Sequence, residues 1–166
     1  MEFEAKSSTT AHRSISDGRS ASEERSTARP NPVILSVDDE PDNLTVLRLF
    51  LSTEGFEVIA ASNGAEALHL IEEHCPDLII TDFTMPAMSG LEFCRILRER
   101  VEARGIPIIL YSGTDLREAD PDLFDRFVLK PAELDVFARA IRDLLSIAAS
   151  KSTRLIPAPP PLPRGQ

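Results

Sequence analysis

Hydrophobic and polar positions along this chain switch repeatedly between two periods. Val33-Ile34-Leu35-Ser36-Val37 is a short, nearly unbroken apolar run, the pattern of a strand buried on both faces. Asp42-Asn43 then opens a stretch with Leu44, Leu47 and Leu51 at helical spacing, and Gly55 stops it. Residues 56–60 predict a second strand. Ser62-Asn63-Gly64 starts a second helix through Ala67 and Ile71, ending before Pro76. Residues 78–81 predict a third strand, and Gly90 begins a third helix carrying Leu91, Cys94, Leu97 and Val101, which Gly105 closes. Residues 107–111 and 126–129 predict the fourth and fifth strands. A last helix runs from Ala132 to about Ser150, with Leu134, Phe137, Ile141 and Leu145 inward.

Strands alternating with helices imply an α/β fold with a parallel sheet covered on both faces. Five such units favour the flavodoxin-like, doubly wound strand order 2-1-3-4-5, in which the ligand crevice opens between strands 1 and 3. Asp38 and Asp39 end the first strand and Asp82 ends the third, so the acids flank the crevice that the topology predicts. Carboxylates gathered at one spot repel and call for a cation, a lysine or a chemical purpose. Oxygen-only ligands suit Mg²⁺, and a carboxylate beside Mg²⁺ can accept a phosphoryl group.

Composition narrows the picture. With 166 residues, 42% of them hydrophobic and 27% charged, the chain has ordinary globular make-up and enough length for one domain. A net charge of −9 argues against a nucleic-acid-binding face. Neither a membrane-spanning length nor a secretory h-region is present, so a cytoplasmic location is expected. Cys75 and Cys94 have neither CxxC nor zinc spacing and read as reduced core thiols. Residues 1–31 are rich in Ser, Thr, Arg and Glu without a hydrophobic period, the signature of a disordered tail. Residues 151–166 end in Pro-Ala-Pro-Pro-Pro-Leu-Pro-Arg-Gly-Gln, which favours polyproline II and predicts a second disordered tail. The folded domain is expected over residues 32–150.

The motifs Val37-Asp38-Asp39-Glu40, Asp82-Phe83-Thr84-Met85-Pro86 with Ser89-Gly90, Tyr111-Ser112-Gly113, and Lys130-Pro131 stand in order at the predicted strand ends. In this set the chain resembles the receiver domain of response regulators from two-component signal transduction. The resemblance implies that Asp82 is the phosphoacceptor, attacking a phosphohistidine on a sensor histidine kinase or phosphotransfer protein. It implies Mg²⁺ held by Asp38, Asp39, Asp82 and the main-chain carbonyl of Thr84, with Asp39 a direct ligand and Asp38 acting mostly through water. Lys130 would contact a phosphoryl oxygen, with a cis peptide before Pro131. Ser112 would be the switch hydroxyl and Phe127 the switch aromatic.

From Ser112 to Lys130 the chain is shorter than the family usually has, and Asp120-Pro121 interrupts any long helix. A shortened or missing fourth helix is therefore expected, on the face that relatives use for dimerisation and partner binding. With no output module in the proline-rich stretch, the resemblance is to a single-domain response regulator. Such a protein switches the binding of a downstream protein target, or relays the phosphoryl group, and is not a turnover enzyme. The competing reading is a pseudo-receiver that binds partners without phosphorylation. An aspartyl-nucleophile phosphatase is weaker, because Thr84 stands where a second acid is needed. A flavin protein of this fold is weaker still, because acids after the first strand repel a phosphate.

Overall fold

The computed structural model describes residues 30–114 and 120–153, the side chains of Ser152 and Thr153 excepted. The chain separates into a unit of residues 1–30 and a unit of residues 31–166, and every element below belongs to the second. The two expected tails fall almost wholly on residues 1–29 and 154–166, outside the described residues.

Five strands, β1 (Val33–Val37), β2 (Glu57–Ala61), β3 (Leu78–Thr81), β4 (Ile108–Ser112) and β5 (Arg126–Leu129), form one parallel sheet in the order β2-β1-β3-β4-β5. Four helices connect or follow them: α1 (Pro41–Thr53), α2 (Gly64–His74), α3 (Gly90–Glu99) and α4 (Leu134–Thr153). Both faces are covered, which is why the central strands read as unbroken apolar runs. Successive residues go to opposite faces. Leu35, Ile79 and Ile108 pack with α2 and α3 through Ala67, Ile71, Phe93, Cys94 and Leu97. Ile34, Ile80 and Ile109 pack with α1 and α4 through Leu51, Phe137, Ile141 and Leu144. No helix among the described residues is long and apolar enough to cross a membrane.

The expected architecture and strand order hold, and several boundaries move for physical reasons. Phe56 is buried but belongs to the turn after α1, because its N–H donates to the Leu51 carbonyl at 3.0 Å; β2 starts one residue later. Gly55 supplies the left-handed φ of +86° that this turn requires. Strand β4 starts at Ile108 because Pro107 has no N–H to donate, and it takes in Ser112. Helix α1 starts at Pro41, a residue suited to the first helical position. Helix α3 stops at Glu99, with the Arg100 N–H closing on the Ile96 and Leu97 carbonyls, so Val101 is 72% exposed rather than inward. Leu134 stands in the first turn of α4 and is 52% exposed, not buried as expected. Cys94 is a core thiol, but Cys75 is exposed at the left-handed C-cap of α2. Among the described residues there is no helix between β4 and β5; the rest of that segment, residues 115–119, lies outside them.

Candidate functional site

The main-chain pairing of the sheet continues one residue past three strands. The N–H of Asp38 donates to the Ala61 carbonyl (3.1 Å), that of Asp82 to Val37 (2.8 Å) and that of Lys130 to Ser112 (2.8 Å). The three side chains therefore leave the carboxyl edge from backbone held by the sheet itself. They meet there: the Lys130 ammonium Nζ donates to Asp38 Oδ2 at 2.8 Å and to Asp82 Oδ1 at 2.7 Å. The chain separations are 92 and 48 residues, so the fold alone creates this contact.

The remaining carboxylate oxygens are also engaged. Asp82 Oδ2 accepts the Thr84 N–H at 2.6 Å. Asp38 Oδ1 accepts the Glu40 N–H at 2.9 Å, and Asn43 Nδ2 spans both Asp38 oxygens at 3.2 and 3.1 Å. Asp38 is only 7% exposed, so this set of donors is what keeps a charged side chain in place. Burial pulls the Lys130 ammonium toward neutrality, but the hydrogen bonds it donates to Asp38 and Asp82, together with their charge, outweigh it, and the pKa ends above the ordinary lysine value. Lys130 is thus a fixed cation at neutral pH. Its Nζ lies 4.9 Å from the centre of the Tyr111 ring, which stacks on Phe137 at 4.8 Å.

The turn after Asp82 is built around one close approach. A Cβ on Gly90 would collide with the Asp82 carbonyl oxygen and lie 2.9 Å from Phe83 Cα, so only glycine fits. The Gly90 N–H donates to the Phe83 carbonyl at 2.8 Å, and Ser89 caps α3 by accepting the Glu92 N–H. Ala87 takes a left-handed φ of +66° within this turn. Ser112 is buried, and its Oγ accepts the Thr114 N–H at 3.1 Å, leaving its own proton free to donate elsewhere. Phe127 is half-buried on β5, in register with Leu110.

The structure therefore joins Asp38, Asp82, Thr84 and Lys130 into one network. Ser112 ends the adjacent strand β4, and Asp39 is exposed beside the network without taking part in the lysine bridge. Two participants escaped the sequence reading. Asn43 looked like a helix start, yet it turns its amide onto Asp38; its place in the first turn of α1, at the same edge, was the available signal. Tyr111 stands in the Tyr111-Ser112-Gly113 motif but carried no role of its own, and nothing local pointed to the lysine above it.

Among the described residues no group of three or more His, Cys, Asp or Glu side chains is set to hold a metal ion. The donors at the network are nonetheless all hard oxygens: two carboxylates in contact with one lysine, exposed Asp39 next to them, and the main chain of exposed Thr84. Few protein oxygens with access to water match the chemistry of Mg²⁺, which keeps several of its waters.

A family profile described as the response regulator receiver domain matches residues 34–142. The transcriptional regulatory protein KdpE of Mycobacterium tuberculosis is 38% identical over 114 residues, 66% of this chain and 49% of KdpE. The polar-differentiation response regulator DivK of Brucella anthropi is 31% identical over 119 residues, 69% of this chain and 97% of DivK. The chain thus spans about half the length of KdpE and nearly all of DivK. Among solved structures, response regulator TrrA of Thermotoga maritima, in complex with Mg²⁺–BeF, is 33% identical with a TM-score of 0.63, covering 68% of this chain and 98% of TrrA. A response regulator receiver protein from Pseudomonas putida is 30% identical with a TM-score of 0.63, covering 69% of this chain and 98% of that protein.

Proposed function

This chain belongs to the response regulator receiver domain family, and on that premise we propose that it accepts a phosphoryl group on Asp82 from a phosphohistidine of a sensor histidine kinase or phosphotransfer protein. The observation that carries the reading is the lysine bridge: one fixed cation touches both Asp38 and Asp82 at the carboxyl edge. A lone turn-capping aspartate would not need it.

Asp82 attacks phosphorus in line with the leaving imidazole nitrogen. The O–P bond forms as the N–P bond breaks, and the imidazole takes up a proton. Asp82 is already oriented, one oxygen by Lys130 and the other by the Thr84 N–H. After transfer, Lys130 and the Thr84 N–H are placed to donate to oxygens of the bound phosphoryl group, where charge has accumulated. Mg²⁺, when bound, would be held by Asp38, Asp39, Asp82 and the Thr84 carbonyl and would neutralise charge between carboxylate and phosphoryl oxygens. TrrA, solved with Mg²⁺–BeF, supports Mg²⁺ as the ion. The Ser112 hydroxyl donates its free proton to the phosphoryl group and, still accepting the Thr114 N–H, draws the Gly113-Thr114 loop inward, and the Phe127 side chain repacks with it. The modified state then binds a downstream protein or passes the group on, without turnover of a substrate.

The test is intact mass after incubation with acetyl phosphate, with and without Mg²⁺, beside Asp82→Asn. We expect one added phosphoryl group that requires both Mg²⁺ and Asp82. Uptake that persists in Asp82→Asn would overturn the assignment. No uptake from either acetyl phosphate or a panel of kinases would favour a phosphorylation-independent interaction module.

A further inference from the structure

Helices α1 and α4 are drawn together at one end and part at the other. Arg142 of α4 pairs with Glu54, just past α1, and lies 5.9 Å over the Phe56 ring. Toward the carboxyl edge the two helices leave a groove of about 290 Å³. Its walls include Val46 and Phe50 from α1 and Leu134 and Phe137 from α4, and Tyr111 lies between them. Val46 is 64% exposed and Leu134 is 52% exposed, a large apolar surface left to water beside three aromatic rings. Asp38, Asp42 and Asp82 also line it, against the single cation Lys130.

A segment of this chain matches the groove in length, chemistry and charge. Residues 154–164 follow α4 as Arg-Leu-Ile-Pro-Ala-Pro-Pro-Pro-Leu-Pro-Arg. Helix α4 has 20 residues, about 30 Å at 1.5 Å per residue. Its first turn borders the groove, so its end lies a helix length away. Eleven residues of polyproline II cover about 34 Å at 3.1 Å each, which is enough to return along α4 to the groove. Proline-rich segments in that conformation dock in aromatic-lined grooves at low entropic cost. From Lys151 to Gln166 there are three cations and no acid, in a chain of net charge −9.

We propose that residues 154–164 of this chain dock in the groove between α1 and α4, with Leu162 and the prolines on the aromatic and aliphatic wall and Arg164 against the acids at the carboxyl edge.

The test places a nitroxide at Gly165→Cys in the full chain, in a Cys75→Ser background, and reads assigned methyl signals. We expect Val46 and Leu134 to lose intensity, while Val101, on the far side of the sheet, keeps it. Adding Leu162→Asp should restore both signals. No loss at Val46 and Leu134 would overturn the docking. So would loss in a mixture of spin-labelled, isotope-free chains with isotope-labelled, spin-free chains, because a second copy would then fill the groove.

Discussion

At the amino edge of the sheet, Asp77 and Asp125 each precede a strand, and each accepts the first N–H of the neighbouring strand, that of Val33 or of Ile108, at 2.8 Å. Each also donates its own N–H to that residue's carbonyl. At the carboxyl edge, Asp38 and Asp82 each follow a strand by one residue and meet no such donor. Parallel strands all present N–H groups at one edge and carbonyls at the other, and carbonyls repel a carboxylate. The acids of the amino edge are therefore satisfied by the sheet, with Arg98 adding a bond to Asp125 at 2.7 Å. Those of the carboxyl edge draw on a lysine just past β5, an amide from α1 and the loop N–H groups of Glu40 and Thr84. The same residue closes the sheet at one edge and holds a reactive site open at the other.

The largest effect should come from the backbone that shapes the open edge. Gly90→Ala forces a Cβ into main-chain atoms of Asp82 and Phe83, which cannot retreat as a flexible side chain would. We expect a loss of about 3 kcal/mol by denaturant titration, at the upper end for overpacking, together with slower phosphoryl uptake. Asp125→Ala comes next, leaving the Ile108 N–H and the Arg98 guanidinium without their shared carboxylate. We expect a loss of about 2 kcal/mol with uptake retained. Asp82→Ala should show the reverse, abolishing uptake while changing stability by less than Asp125→Ala does. Equal stability losses at the two edges would break the comparison. Lys130→Met should cost about 1 kcal/mol, since its carboxylate partners keep their amide donors. Its melting temperature should rise more on Mg²⁺ addition than that of the parent, because the divalent ion replaces the missing charge. An equal rise would remove Lys130 from the electrostatics of the site.

The sequence carried the sheet clearly and the site only in part. β3 and β5 fall on the expected residues because each is a short apolar run between polar or turn residues. The meeting of Asp38 and Asp82 was legible because strand order sets the ends of β1 and β3 side by side, whereas Lys130, beyond β4 in the sheet, was placed at the site by the resemblance alone. What escaped depended on contacts that no local pattern encodes. The inward stripe expected at Val101 failed because α3 ends at Glu99, and Ala103 takes the buried place instead. Leu134 keeps the helical spacing of Phe137 and Ile141 but sits where α1 and α4 part. The Arg98–Asp125 pair joins residues 27 apart, both of which look like ordinary surface charges in the sequence.

The smallest effect concerns the two thiols, which looked alike in the sequence and differ in the fold. Cys75 is exposed at the end of α2, just before Asp77 and the amino edge, so a thiol reagent should modify it in the native protein. Cys94 faces the core from α3, and burial pushes its pKa up to about 12. It should resist labelling until the domain opens, so its rate reports unfolding. A native pKa above the unfolded one means that the unfolded chain releases the proton first as pH rises. The stability associated with the protonated Cys94 is full below the ordinary thiol value, near 8.5, and is lost as pH climbs from there toward 12. Cys94→Ala should remove this alkaline component while leaving a cavity, so its loss of stability at neutral pH should shrink relative to the parent as pH rises above about 9. A difference between the two proteins that stays constant across that range would show that the Cys94 thiol does not titrate between the two states as its burial requires.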